Sequence, residues 1–454
     1  MKDYDFIVVG SGCGLIIVDE AITHDLKVAL VDEGPLGGTC LNVGCIPSKM
    51  LTCVADRVVD LQEARKLGVK AKITSINFQS VMGRMQRVVE NGRDHVRKTL
   101  ARQKKLDFYE GRGRFVDDMT MEVNGERIKG KRIFLASGSR TLVPPIKGLE
   151  TVDYLTNDSV LNLKKRPESL VIIGGGYIAV ELGHFFAAMG TTVTMLEMAD
   201  RLILSEEPEI ADLLKGRLSR RMQVRTGELV QEIRPGVSGK GVTVFTQLKA
   251  TGETKEYSAE RILLAVGRRS NADTLRVEKT GVQLDQRGFI KVNGYMQTSH
   301  RHIFAVGDAN GQQMFTHIAN REAVLAADHV LHGTRQKMDY SAAPHAVYSY
   351  PQIASVGMTE QQARLDHKIL VGKTKYRSVA YGEALLERQG FAKAIIEGET
   401  DKILGFHIIG PYAPILIQEV INAMQSKGNV HEIFEGMHIH PAMTELIPTT
   451  LGNT

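Results

Sequence analysis

Cysteine is scarce in this chain: there are four in 454 residues, too few for the stapled framework of a disulfide-rich secreted protein. Long apolar runs are missing, and none approaches a membrane-spanning helix in length. No secretory leader is read either, because Met1-Lys2-Asp3-Tyr4-Asp5 runs straight into a strand. Strong charge of either sign is lacking. The formal net charge of +5 suits an anionic ligand better than a nucleic acid. The expectation is a cytoplasmic protein with neither membrane nor nucleic acid as partner. What is present, 43% hydrophobic and 24% charged residues, is ordinary for a globular protein and leaves room for two or three domains with proper cores.

Two of the four cysteines share one stretch, Gly37-Gly38-Thr39-Cys40-Leu41-Asn42-Val43-Gly44-Cys45-Ile46-Pro47-Ser48-Lys49. In a regular α-helix their Cα atoms would lie about 8–9 Å apart, whereas a disulfide needs them within about 7 Å. If the two bond, the local helix must be distorted. Gly44 tolerates unusual dihedrals, and Pro47 cannot donate to the carbonyl of Val43. A strained bond of this kind is readily reduced, which suits catalysis better than stapling.

Ahead of this stretch, Phe6-Ile7-Val8-Val9 reads as a strand ending in a glycine turn at Gly10, Gly12 and Gly14. A helix follows, then a second strand, Val28 to Val31, ending in Asp32. This is the pattern of a βαβ nucleotide-binding unit, in which glycines admit a pyrophosphate to a helix N-terminus and the acid takes a ribose diol. The third glycine position holds Leu15, so helix–strand packing there is expected to be looser. Cys13 reads as a small residue in the turn. A second unit starts at Val171-Ile172-Ile173. Gly174, Gly176 and the small Ala179 occupy the three glycine sites, and the next strand, Val193 to Leu196, ends in Glu197. An acid there favours a free 2′-hydroxyl over a 2′-phosphate, hence NAD over NADP, although Arg201 is near.

Elsewhere, Cys53 reads as a buried filler in a helix that reaches about Lys66. Asn77 to Lys105 reads as a helix with a solvated basic face. Asn124-Gly125 marks a hairpin turn, and Arg132 to Ser139 is a buried strand ending in small residues. Val143-Pro144-Pro145 looks like a linker. Glu260 to Asn271, including Gly267, is a strand and turn, and Ile303 to Asp308 repeats that pattern and ends in an acid. Asp339 to Pro344 marks a boundary. Beyond it, Thr359-x-x-Gln362 resembles a capping box. Near the end stands His438-Ile439-His440-Pro441-Ala442-Met443-Thr444-Glu445. A histidine suits proton exchange with a thiol, and a carboxylate can fix its tautomer, but spacing alone leaves a buried, satisfied histidine as the default.

With these residues together, the chain resembles the pyridine nucleotide–disulfide oxidoreductases of the glutathione reductase and dihydrolipoyl dehydrogenase type over essentially its whole length. The stretch from Gly37 to Lys49 is highly specific for that family, as is His440-Pro441-x-x-x-Glu445. The resemblance implies an α/β fold with two Rossmann-like dinucleotide-binding domains and a C-terminal α+β dimerisation domain. We divide the sequence into an FAD-binding part at 1–145, an NAD(P)-binding domain at 146–267, a return to the FAD and central domain at 268–338, and a dimerisation domain at 339–454. The resemblance further implies that Cys40 exchanges with substrate while Cys45 lies against the flavin. Lys49 would pair with Glu181 near the flavin N5, and Asp308 would bind the ribityl chain. In the homodimer, His440, oriented by Glu445, would act on the disulfide of the partner subunit. Gly10, Gly12, Gly14, Asp32, Gly38, Thr39, Ser137 and Gly138 fall at FAD-binding positions. Gly174, Gly176, Tyr177, Ala179, Glu197 and Gly267 fall at positions for NAD. Ser137 stands where a threonine is usual.

The substrate is less sharply marked. The last residues, Thr449 to Thr454, carry no cysteine, unlike the large thioredoxin reductases and mercuric reductases that resemble this family. Both redox cysteines are present, unlike in the soluble transhydrogenases. Glu197 points to dihydrolipoyl dehydrogenase, with a lipoyl domain or small dithiol as partner. Gly176-Tyr177-Ile178-Ala179 resembles the glutathione reductases instead. The Cys40 loop, the Gly10 turn and Val379-Ala380-Tyr381-Gly382 look like mycothione reductase, so a small-thiol disulfide reductase using NADPH stays open. A non-catalytic subunit of a 2-oxo acid dehydrogenase assembly is the reading of another class, and the intact Cys40, Cys45, Lys49, His440 and Glu445 weigh against it.

Overall fold

A computed structural model describes residues 1–236 and 239–454. The chain packs as two compact units, one made of 1–47, 83–142 and 267–339, the other of 48–82, 143–266 and 340–454. Residues 48–82, read above with the first domain, pack with the second unit.

The first unit is built on a seven-stranded sheet. Its order is Leu106–Glu110, Val28–Asp32, Lys2–Val9, Glu126–Leu135, Thr120–Val123, Arg114–Asp117, with Ile303–Ala305 also pairing to Glu126–Leu135. The central strands run parallel, with Ile7 opposite both Ala29 and Ile133. Both faces of a parallel sheet are covered, so its strands are apolar throughout. Accordingly Ile7, Val8, Ala29, Leu30, Ile133 and Phe134 are all fully buried. The helices Gly14–Thr23 and Thr316–His332 flank this core. Asn124 and Gly125 turn the hairpin between Thr120–Val123 and Glu126–Leu135 with φ of +50° and +83°, as a two-residue turn of this composition requires.

The second unit holds a parallel four-stranded sheet in the order Gln223–Thr226, Thr192–Glu197, Ser169–Ile173, Arg261–Leu264, and an antiparallel three-stranded one. It also holds a five-stranded antiparallel sheet running from Pro344–Val347 to Ile369–Lys375. The helices Ala413–Gln425 and Leu446–Leu451 bury Leu416, Val420, Leu446 and Ile447 in the core of that last sheet. Thr359 caps the helix Glu360–Asp366 with the full reciprocal box to Gln362, as its spacing predicts. The helix Phe78–Leu100 buries Phe78, Met82, Met85 and Val89 and exposes Arg84, Arg87 and Arg97, the amphipathic pattern expected of a solvated face.

Candidate active site

The two cysteines sit on either side of a break in helical geometry. Gly38–Asn42 forms a short helix, Val43 departs at φ −141° and ψ 15°, and Cys45 opens the helix that runs to Glu63. The distortion expected from the spacing is therefore present, and it lies at Val43 and Gly44. A Cβ on Gly44 would meet the carbonyl oxygen of Thr39 at 2.9 Å, so the fold-back needs glycine. Pro47 plays a different part from the one its chemistry suggested. It lies in the first turn of the cysteine helix, where a missing N–H has no intrahelical acceptor to lose.

Cys40 and Cys45 are in hydrogen-bonding contact and are not bonded as a disulfide, where the sequence reading expects one. The bond to Cys45, followed by burial, pushes the Cys40 thiol up, and Thr316 opposes it. Cys45 Sγ also lies 3.1 Å from Thr316 Oγ1. Asn42, between the cysteines and 5% exposed, donates from Nδ2 to the carbonyls of Leu36 at 3.0 Å and Gly38 at 2.7 Å, and accepts from Arg93. It ties the start of the loop to its end. Neither Thr316 nor Asn42 was singled out from sequence. Thr316 opens the helix Thr316–His332, far along the chain, and nothing beside it marks a thiol site.

The expected FAD residues come together in the first unit. Gly10 has φ +104°, and a Cβ there would lie 2.1 Å from the carbonyl oxygen of Ala136. A Cβ on Gly38 would lie 2.6 Å from Gly12 Cα, so these two backbones touch and Thr39 follows directly. The expected looseness at Leu15 is corrected. Gly14 makes the close approach instead, with its Cβ position 2.9 Å from Val8 Cγ1. Asp32 accepts from the N–H of Ser11 at 2.5 Å and of Gly34 at 2.7 Å. Asp308 accepts from Ser139 Oγ at 2.5 Å and lies 3.5 Å from Arg268 Nε. Gly138 has φ +66°. Beside it, the Ser137 hydroxyl is buried and has no hydrogen-bond partner among the described residues. A buried orphan hydroxyl, a glycine cradle that no side chain could enter and a carboxylate at a strand end fit a dinucleotide such as FAD. Cys13 lies in the same region, where burial pushes its thiol up to about 12. That keeps it protonated and inert, in line with its reading as a small residue.

The second glycine turn, in the second unit, repeats the first. Gly174 has φ +114°, and a Cβ would lie 2.3 Å from the carbonyl oxygen of Ala265. Gly176 precedes the helix Tyr177–Ala188 and opens onto free space, and Ala179 is fully buried. Glu197 Oε1 accepts from the N–H of Ala199 at 2.7 Å. Gly267, with φ +129°, falls in the first unit instead, where its carbonyl accepts from Leu142.

Two ion pairs complete the set. Lys49 Nζ lies 2.9 Å from each oxygen of Glu181 and 4.5 Å from the centroid of the Tyr348 ring. Tyr348 N–H donates to the same carboxylate at 3.0 Å. His440 Nδ1 lies 2.8 Å from Glu445 Oε1, and Glu445 Oε2 accepts from the N–H of Ala442 at 3.0 Å. The imidazole beside it holds the Glu445 carboxyl below the usual carboxylate range. The dyad is exposed, against the buried default that spacing alone supported. Cys53 is also corrected: it is exposed. It lies on the outer side of the cysteine helix, whose inner side buries Leu51, Thr52 and Ala55. Among the described residues no helix is long and apolar enough to cross a membrane, and no cluster of three or more His, Cys, Asp or Glu side chains is placed to hold a metal ion.

Residues 4–323 match the family described as pyridine nucleotide-disulphide oxidoreductase, and residues 343–451 match its dimerisation domain. The dihydrolipoyl dehydrogenase of Geobacillus stearothermophilus is 36% identical over 449 residues, spanning 97% of this chain and 94% of that one. The mycothione reductase of Mycobacterium tuberculosis (strain CDC 1551 / Oshkosh) is 33% identical over 470 residues, spanning 99% of each. Among solved structures, a Cu(II) complex of the HOCl-induced flavoprotein disulfide reductase RclA from Escherichia coli superposes with a TM-score of 0.88 at 27% identity, covering 100% of this chain and 99% of that one. Proteins of this family bind FAD, use a pyridine nucleotide and pair through the dimerisation domain.

Proposed function

The chain belongs to the pyridine nucleotide-disulphide oxidoreductases, and on that premise we propose that it is a dihydrolipoyl dehydrogenase, oxidising dihydrolipoamide to lipoamide while reducing NAD to NADH. The observation that carries the thiol chemistry is the contact of Cys40 with Cys45 across the break at Val43 and Gly44. A substrate thiolate attacks Cys40 of the oxidised pair. The Cys40–Cys45 bond breaks, a mixed disulfide forms, and the electron pair leaves on Cys45. The second substrate sulfur then attacks the first, forming the lipoamide ring and returning Cys40 as a thiolate. Two electrons have passed from substrate to the cysteines, and NAD takes them up as a hydride. FAD, bound in the first unit, supplies the relay between the thiols and the nicotinamide.

The remaining residues take roles around this exchange. His440 accepts the proton of the attacking thiol, and Glu445 fixes the tautomer that leaves Nε2 free to do so. In a homodimer, His440 serves the cysteines of the other chain. The Lys49–Glu181 pair sets the charge beside the flavin. Gly10, Gly12, Gly14, Gly38 and Thr39 would admit its pyrophosphate, Asp32 would take its ribose, and Ser137, Gly138 and Asp308 would hold the ribityl side. Gly174, Gly176, Tyr177 and Ala179, all in the second unit, would receive the nicotinamide dinucleotide. The second oxygen of Glu197 is free among the described residues to bind an adenosine ribose and repel a 2′-phosphate, which supports NAD. In domain terms, 1–145 with 268–338 binds FAD, 146–267 binds NAD and 339–454 makes the dimer.

The test is a substrate panel on purified holoenzyme. Dihydrolipoamide with NAD, and lipoamide with NADH, are expected to give the highest kcat/KM. A higher kcat/KM for mycothiol or glutathione disulfide with NADPH overturns the lipoamide assignment and favours a small-thiol reductase. Colour separates both from a non-catalytic subunit: one equivalent of dithiol turns a competent enzyme from yellow to orange-red.

A further inference from the structure

A second polar cluster lies outside the site, centred on a fully buried histidine. His184, on the helix Tyr177–Ala188, is fully buried. Its Nε2 lies 2.9 Å from Asp56 Oδ1 and its Nδ1 lies 2.9 Å from Arg221 Nη1. A guanidinium only donates, so Nδ1 must accept and the ring proton sits on Nε2, pointing at Asp56. Burial pushes the imidazolium pKa down, which keeps the ring in this neutral tautomer. Arg221 Nη2 also donates to the carbonyl of Tyr350 at 3.1 Å, and the Tyr350 hydroxyl donates to Asp60 at 3.0 Å.

We propose that His184 is a positioning residue for the Lys49–Glu181 pair, holding all three parts of that pair's surroundings through one neutral imidazole. Lys49 and Asp56 are about two turns apart on the cysteine helix and so share a face. Glu181 and His184 are about one turn apart on theirs. The two bonds therefore bolt the same two helices together in one register. The third part is Tyr348, whose ring lies under Lys49 and whose N–H binds Glu181. Its segment is held two residues later, where Arg221 and Asp60 grip Tyr350. A shift of either helix by a fraction of a turn would break the paired 2.9 Å contacts from Lys49 to Glu181.

The inference rests on the reading that Lys49 serves the flavin, and the test separates the two. In FAD-loaded enzyme, the rate of flavin reduction by NADH is measured by stopped flow for His184→Ala, Lys49→Met and the double variant. Lys49→Met is expected to slow reduction at least tenfold, and His184→Ala about three- to tenfold. In the Lys49→Met background, His184→Ala is expected to add less than a factor of two, because its effect passes through Lys49. His184→Gln keeps one donor and one acceptor and is expected to restore most of the rate. If His184→Ala slows reduction by the same factor with and without Lys49, the proposal is overturned and the network is only structural. If Lys49→Met leaves the rate unchanged, the Lys49 reading itself fails and the proposal falls with it. Should His184→Ala yield no folded holoenzyme, Asp56→Leu runs the same cycle from the other end of the bond.

Discussion

Lys49–Glu181 and His440–Glu445 use the same chemistry, a nitrogen base against a carboxylate, in opposite settings. The Glu181 side chain is 5% exposed and receives both contacts from Lys49 as well as a backbone N–H. The His440 side chain is 73% exposed. Its Nδ1 is tied to Glu445, and its Nε2 has no partner among the described residues. Met437 and Ile439, the neighbours of the dyad, are among the most exposed apolar side chains of the chain. The first pair is finished within its own chain. On the reading proposed above, the second is half of an arrangement, a base that serves the other chain's cysteines, on a face whose exposed apolar residues suit cover by a second copy.

The largest effect that could break this comparison comes from complementation. Cys45→Ser and His440→Gln should each lower turnover by about 10³-fold or more, the scale on which losing one member of a catalytic set acts. The two inactive chains, unfolded and refolded together with FAD, should recover about a quarter of wild-type activity, the value that random 1:2:1 pairing of an isologous dimer gives when half the dimers carry one working site. If heterodimers form and no activity returns, His440 serves its own chain and the contrast between finished and half-finished pairs is lost.

A smaller effect separates the two pairs by half-reaction. Lys49→Met should slow flavin reduction by NADH at least tenfold, while His440→Gln leaves that step within about twofold and slows thiol exchange instead, the split expected when a general base acts on only one step. Rapid-mixing absorbance resolves both steps. Equal slowing of both steps by both variants would erase the division of labour.

The sequence revealed the parts of this scheme that recur as local patterns. Gly10 and Gly174 announce themselves because a strand, a tight turn and a helix surround each, and the structure blocks a Cβ at both with a carbonyl just past the end of the neighbouring strand. The cysteine spacing was incompatible with a regular helix, and the break appears where glycine permits it. Lys49 with Glu181, and His440 with Glu445, came through family resemblance. What stayed hidden is set by tertiary packing of ordinary residue types. Thr316, Tyr348 and His184 each lie more than a hundred residues from a partner they bind. Cys53 was misplaced because one residue's hydrophobicity does not say which side of a helix faces the core. At Leu15 the fingerprint was read at its usual position, while the close approach had moved back to Gly14.

A stability comparison sharpens the contrast further. Glu181→Ala strands an ammonium that was paired. Breaking a fully buried pair costs about 3–5 kcal/mol, but the Lys49 side chain is 36% exposed, and water screens what remains, so about 1–2 kcal/mol is expected. Thermal unfolding of the holoenzyme should show a lower midpoint for Glu181→Ala. An unchanged midpoint would mean that the pair serves charge placement alone.

The smallest effect concerns pH and the dyad. Glu445 is held below the ordinary carboxylate range, first by the bond from His440 and then by the N–H of Ala442. A carboxyl with a depressed folded pKa adds stability above its unfolded value, and that contribution disappears as pH falls through the depressed value. Wild type and Glu445→Ala should therefore melt together in strong acid. At neutral pH they should differ by no more than about a degree, because exposed pairs contribute little and salt screens them. Activity should behave differently. Glu445→Gln removes the charge that favours one imidazole tautomer and should lower turnover about tenfold at neutral pH, within the range that general acid–base groups command. A large midpoint shift with little loss of turnover would reverse the roles, making Glu445 a structural anchor and leaving His440 to find its tautomer unaided.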